Sequence, residues 1–279
     1  MLEKELVKKL KGVQETLLAT LYAKGRDNRS ANPVLNDHLA DEAVARLEKI
    51  RPIWSLSSDA AMVASRALYL DSWTRDFLIR HPNAVVLNLA CGLDTRVYRI
   101  NPPDSVTWYD FDFPEVIALR RELYPDREGA SYRMLDGSVT AAGWLDDAVA
   151  SANRPVMLVA EGLFMYLTEH EVKTIIQQVI ERFPTQGEIC FDALNRLGKV
   201  AGYFHPAIFA SGAIFKWGFD DPHELETWHP TLKLLDELSF GELPEREKFT
   251  LGARIGWRFL RLSKTLSHID RLLHYKYKN

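Results

Sequence analysis

Cysteine is scarce: Cys91 and Cys190 are the only two in 279 residues. Two thiols cannot form the disulfide framework of a small secreted scaffold, so a reducing compartment is expected. Long apolar runs are also lacking. No stretch reaches the roughly 20 residues needed to cross a bilayer. The opening MLEKELVKKL is too charged for a signal peptide. Both features point to the cytoplasm. Nor does charge of one sign dominate. The 35 Lys and Arg against 38 Asp and Glu leave a net charge of −3. Nothing there pulls the whole chain toward nucleic acid or a membrane, and neither is an expected partner. The eight histidines never fall in H-x-x-H or H-E-x-x-H spacing, so no metal site is expected. A G-x-S-x-G elbow is missing where the fourth strand ends (EGLF), which disfavours a serine hydrolase.

What is present is an ordinary globular composition, 47% hydrophobic and 26% charged, long enough to bury a sizeable core. The first eighty residues read as helices. ETLLATLYAKGR and ADEAVARLEKI space apolar residues three and four apart, with Asp41 as a cap for the second. SDAAMVASRALYLDSWTRDFLIRH is a longer helix, starting at Ser58 or Asp59 and ending before Pro82. After Pro82 the texture changes. AVVLNLA, VTWYDFD, ASYRMLDGS, PVMLVAEGLFMYL and GEICFDAL read as strands. Between them, FPEVIALRRELYP, GWLDDAVAS and TEHEVKTIIQQVIERFP read as helices. Pro114 opens the first of these, and Thr168 with Glu171 forms a capping box in the last. LKLLDELSF and RLLHYKYKN read as two late strands with a helix, LGARIGWRFLRLS, between them. This alternation predicts an α/β fold, a mostly parallel sheet with helices on both faces. Residues 1–82 would form a helical cover, and 83–279 the core, with a lid insertion at about 195–230.

Ligands of an open α/β sheet sit at the carboxyl ends of its strands. Those ends carry Ala90-Cys91-Gly92, then Asp110 and Asp112, Leu135-Asp136, Glu161 and Asp192. A pyrophosphate would want G-x-G-x-x-G. The turn here, NLACGLDTR, has one glycine, and no lysine of the phosphate-loop type follows it. A nucleoside without a pyrophosphate fits better, with the acid about twenty residues on suited to ribose hydroxyls. A dehydrogenase on the same fold is thereby disfavoured. Asp94 and Thr95 read as caps of the next helix, Arg96 and Arg99 as partners of local acids, and Cys91 as a small buried filler.

NLACGLDTRVYRI, WYDFDFPEVIALRR and AEGLFMYL together resemble the leucine carboxyl methyltransferase family, in particular its bacterial O-methyltransferases of polyketide biosynthesis. ETLLATLYAK, LNDHLADE and WGFDDPHELETW carry the same resemblance, which runs from about residue 12 to about 240. It implies a class I methyltransferase fold, Rossmann-like, with a seven-stranded sheet, and S-adenosylmethionine as cofactor, leaving S-adenosylhomocysteine. Ala90, Cys91 and Gly92 would pass beneath its methionine part. Asp112, with Asp110, would take the ribose hydroxyls. Leu135 and Asp136 would frame the adenine, and Glu161 would lie near the sulfonium. Arg66 resembles the arginine that pairs with the cofactor carboxylate; the alternative is a surface ion pair. The family also carries an N-terminal lysine near the cofactor, but Lys24 sits in a stretch that does not align.

The implied activity is O-methylation of a carboxylate or hydroxyl of a small, polyketide-like molecule. Carboxyl methylation of a protein C-terminus and a non-catalytic cofactor-binding homologue are the alternatives. For a hydroxyl acceptor, Tyr166 and His205 are the candidates for base or orienting group. Arg196, Tyr203 and Trp217, in an aromatic segment after the fifth strand, are the candidates for acceptor contacts. Simple packing of the lid is the other reading of these aromatics.

Overall fold

The computed structural model describes residues 2–48, 59–148, 151–202 and 212–278. Among these, seven strands form one sheet: β1 Val85–Leu89, β2 Thr107–Asp112, β3 Tyr132–Asp136, β4 Val156–Ala160, β5 Gln186–Leu194, β6 Lys233–Ser239 and β7 Asp270–Lys278. Their order is β3-β2-β1-β4-β5-β7-β6. The first five are parallel, and β7 runs antiparallel between β5 and β6. Strand order reverses between β1 and β4, so the crevice expected to take a ligand opens at the carboxyl ends of these two strands. β1 and β4 are buried at every residue, as their continuous apolar runs predict for central parallel strands.

Alternate residues of the central strands feed two separate cores. Val85, Leu87, Leu158 and Ala160 pack with the apolar stripe of helix α7, Glu169–Arg182. Val86, Met157, Val159 and Cys190 pack on the opposite face with helix α4, Ala60–Arg80. α7 starts at the expected capping box of Thr168 and Glu171. α4 starts at Asp59, whose side chain accepts from Met62 N. Three further helices precede α4: α1 Leu2–Lys9, α2 Thr16–Asn28 and α3 His38–Leu47. They bury Leu18, Leu21, Tyr22, Ala43 and Val44 in a third core. That core also takes Val116, Leu119 and Leu123 of α6, Pro114–Leu123. The short helix α5, Arg96–Ile100, follows the turn after β1.

Three local expectations are corrected. Asp37, not Asp41, caps α3, accepting from Ala40 N at 3.0 Å, while Asp41 pairs with Arg29. GWLDDAVAS is not an α-helix over its described residues. Gly143 has φ +74°, and Asp146 and Ala148 bond back three residues rather than four, giving successive turns. Thr95 stands at the N-cap of α5, yet its hydroxyl makes no cap bond and donates to Asp37 instead. Among the described residues no helix is long and apolar enough to cross a membrane.

Candidate functional site

The turn after β1 is the geometric centre of the site. Ala90 and Gly92 both adopt positive φ, +49° and +51°. For alanine this left-handed conformation costs about 1–2 kcal/mol. Ala90 therefore holds a backbone shape that nucleotide-binding turns usually assign to glycine. Gly92 N donates to Asp112 Oδ2 at 2.7 Å, and Phe113 N to Asp112 Oδ1 at 2.7 Å. The Asp112 carboxylate is thus fixed at the lip of the turn. Burial raises its pKa to about 6 despite these two backbone donors, so it remains a strong acceptor for further donors. From below, Arg120 of α6 donates to the carbonyls of Gly92 and Asp94 at 2.9 and 2.6 Å.

Two adjoining cavities open over this turn. The first, about 120 Å³, is lined by Lys24, Arg66, Ala90, Cys91, Gly92 and Glu161, and closed above by Thr16, Leu17 and Thr20 of α2. The second, about 430 Å³, runs along Gly137, Ser138, Val139 and Thr140 after β3, with Ile214 and Lys216 opposite. Ala90, Asp112, Phe113, Leu163 and Tyr166 line both.

A buried charge network floors the first cavity. Glu161 follows β4 and meets Lys24 at 3.3 Å, Arg66 at 3.2 Å and Arg96 at 2.7 Å. Burial disfavours its charge, but these three cations outweigh it and bring its carboxyl down to about 2. Asp94 meets Lys24, Arg96 and Arg99 at 2.8, 2.8 and 2.9 Å. Against burial, its arginines and Lys24 likewise hold it well below the usual carboxylate range. Arg66 is turned into the cavity by Asp192, 3.0 Å away, whose other oxygen accepts from Gly162 N at 2.6 Å. Asp71 of α4 joins Arg96 and Arg99 at 2.7 and 2.8 Å. Arg66 is therefore an interior residue of the crevice, not a surface ion pair.

The other expected residues distribute unevenly. Cys91 lines the first cavity, with burial pushing its thiol well up, so it is not a nucleophile. Asp110 faces neither cavity. It is fully buried one pleat before Asp112 and saturated by Asn88, Trp108, Arg120 and Tyr132 at 2.5–2.8 Å. Its expected ribose contact is corrected to a structural brace. Leu135 packs against the core, and Asp136 is exposed at the end of β3. The cavity wall there is the next segment, Gly137–Thr140. Tyr166 packs on Phe215, ring centroids 5.2 Å apart, and burial lifts its hydroxyl to about 12. Arg196 is corrected to a surface residue of helix α8, Arg196–Ala201, 65% exposed and paired with Asp220 at 3.1 Å. Trp217 is corrected to core. It stacks on Phe219 at 4.5 Å between ring centroids and lines neither cavity, because alternation turns Lys216 outward and Trp217 inward. Tyr203 and His205 lie outside the described residues.

Sequence reasoning named Lys24 but left it unassigned, because its stretch does not align with the family's N-terminal lysine; it is 1% exposed. Its signal was available. In TLLATLYAKGR it falls three residues after Leu21 and one before Gly25, on the buried face of α2, where a lone lysine must find buried anions. Arg120 was missed, although it falls four residues after Val116 and three before Leu123, on the buried face of α6.

Comparison with known proteins agrees with this architecture. The leucine carboxyl methyltransferase family model matches residues 27–180. The tetracenomycin polyketide synthesis O-methyltransferase TcmP of Streptomyces glaucescens is 43% identical over 237 residues, 85% of this chain and 86% of that one. The S-adenosyl-L-methionine-dependent methyltransferase dpfgK of Gibberella zeae is 36% identical, over 82% and 83%. In shape, the chain resembles a SAM-dependent methyltransferase from Anabaena variabilis, with a TM-score of 0.53 at 13% identity over 85% and 94%. The sheet order, the single-glycine turn and these matches agree: the chain belongs to the leucine carboxyl methyltransferase family.

Proposed function

We propose that this protein transfers the methyl group of S-adenosylmethionine to an oxygen of a small, polyketide-like molecule, in the cytoplasm. The observation that carries the reading is the Asp112 carboxylate. It is locked by Gly92 and Phe113, faces a cavity, and lies across the turn from Arg66. The identity to TcmP over most of both chains supports the acceptor class.

The residues fit this cofactor. Asp112 has free acceptor capacity for two vicinal hydroxyls. The planar guanidinium of Arg66 suits a carboxylate. A Cβ on Gly92 would lie 3.4 Å from Leu17, in the space above the turn. Gly137, Ser138 and Val139, beside Leu135 and Asp136, offer a mostly apolar wall for a base. When bound, the cofactor supplies an electrophilic methyl on a sulfonium sulfur. The chain supplies position and electrostatics. Arg66, fixed by Asp192 and Glu161, anchors one end of the ligand, and Asp112 the middle. Leu17 and Thr20 of α2 roof the crevice and exclude water. Tyr166 lines both cavities and keeps its proton at neutral pH, so it would donate to and orient an ionised acceptor oxygen, a carboxylate or phenolate, which has no proton to lose on methylation.

Titration calorimetry with S-adenosylmethionine, S-adenosylhomocysteine and NAD tests the cofactor. Heat with both adenosyl ligands and none with NAD is expected; no heat with either adenosyl ligand overturns the reading. Turnover against polyketide acids and phenols then tests the acceptor, and methylation of a protein C-terminus in preference to both would overturn that part.

A further inference from the structure

Helix α9, Leu251–Leu260, has two apolar faces, and only one is covered. Ala253, Trp257 and Leu260, at steps of four and three, pack onto the core beneath α4. Thr250, its cap, donates twice to Asp59 at the start of α4, so the helix is held in place. On the opposite side, Leu251, Ile255, Phe259 and Leu262 follow one another at steps of four, four and three. They are 70, 50, 65 and 82% exposed. Alongside this ridge run Arg254, Arg258 and Arg261, which with Arg246 line a shallow cavity of about 440 Å³ holding one carboxylate, Glu247. Among the described residues no ion pair satisfies Arg254, Arg258 or Arg261. From Phe249 to Ile269 the sequence has no Asp or Glu, but carries these three arginines and Lys264. The net charge of −3 averages over this local excess.

An apolar ridge flanked by unpaired cations matches a surface that is itself apolar inside and anionic at its face. We infer that α9 is an interfacial helix that docks the protein on an anionic lipid surface, with Leu251, Ile255, Phe259 and Leu262 entering the headgroup boundary and the arginines meeting lipid phosphates. A second copy of the chain is a poorer occupant. Ten helical residues make a strip about 15 Å long and about 10 Å wide, or about 150 Å², against the roughly 800 Å² per partner of a stable interface. The patch also offers only one acid, Glu247, to receive a second copy's arginines.

Flotation of the full-length protein with vesicles tests the inference. Binding to vesicles of phosphatidylcholine with one-third phosphatidylglycerol, release by high salt and little binding to pure phosphatidylcholine are expected. At about fivefold per cation, Arg254→Gln/Arg258→Gln/Arg261→Gln should weaken binding about 100-fold. Ile255→Ser/Phe259→Ser should weaken it at least about tenfold. All five positions are off the core face, and unchanged circular dichroism and melting would show that the variants fold. No binding to anionic vesicles, equal binding to neutral ones, or binding indifferent to both variants would overturn it. So would a dimer in sedimentation that Phe259→Ser abolishes while vesicles are ignored.

Discussion

Replacing Lys24 with methionine removes a buried cation of nearly the same length and leaves its two anions in place. The ammonium is 2.8 Å from Asp94 and 3.3 Å from Glu161. Removing one member of a buried pair costs about 3–5 kcal/mol when its partner is left bare. Here neither carboxylate is bare. Asp94 keeps Arg96 and Arg99, and Glu161 keeps Arg66 and Arg96. The expected loss is therefore smaller, about 2–3 kcal/mol at pH 7.5, read as the shift in a urea unfolding curve. The pH dependence has a definite sign. Glu161 and Asp94 have folded-state values below their ordinary ones, near 2 for Glu161. Their stabilisation is complete above the ordinary carboxylate range and is lost as pH falls through the folded values. Without Lys24 both carboxyls rise, so the variant has less to lose on acidification. The gap between wild type and Lys24→Met should shrink below about pH 4. A variant within about 0.5 kcal/mol of wild type at pH 7.5, or a gap that widens in acid, would refute the reasoning.

Asp112→Asn should weaken S-adenosylhomocysteine binding about 10–100-fold, since charge-assisted hydrogen bonds contribute about 1.5–3 kcal/mol each; unchanged affinity in calorimetry would remove Asp112 from the ligand. In the wild type the accepting form is the carboxylate, and burial sets its value near 6. Affinity should therefore fall about tenfold per pH unit below 6 and be flat above it, with the asparagine variant flat throughout. Tyr166→Phe should lower kcat by no more than about tenfold, one hydrogen bond's worth, and leave cofactor affinity nearly unchanged. A kcat–pH inflection between 6 and 9 that vanishes in the phenylalanine variant would make Tyr166 a base and contradict its raised value. Ala90→Gly should raise the melting temperature slightly. Relief of about 1–2 kcal/mol of left-handed strain exceeds the roughly 0.4–1 kcal/mol of added chain entropy. A lower melting temperature would mean that the Ala90 methyl contributes more by packing than its conformation costs.

The central strands β1 and β4 were legible because each is a short apolar run between turn signals, and a strand buried on both faces has no other composition available. The segment 143–148 was misread because its apolar spacing is compatible with a helix. Only the hydrogen-bond step, three rather than four, distinguishes a string of turns, and composition does not record that step. The acids at strand ends were legible as a class but not one by one. Asp110 and Asp112 share a face of β2, and the difference between them is Arg120. That residue lies ten positions on and covers the inner carboxylate, leaving the outer one to the cavity. Trp217 shows the same limit. Aromatic content marked its segment as a pocket wall, but the parity of the backbone gives the wall to Lys216 and the core to Trp217.

Arg96 and Arg99 were read as pairing with local acids, and only Asp94 is local. Their other partners are Asp37, Asp71 and Glu161, 25 to 65 residues away. Such pairing follows from tertiary packing, and it explains why the cover and the crevice form one unit. α2 brings Lys24, the loop before α3 brings Asp37 and α4 brings Arg66 and Asp71 to one turn. No cation there can be desolvated without an anion from another element.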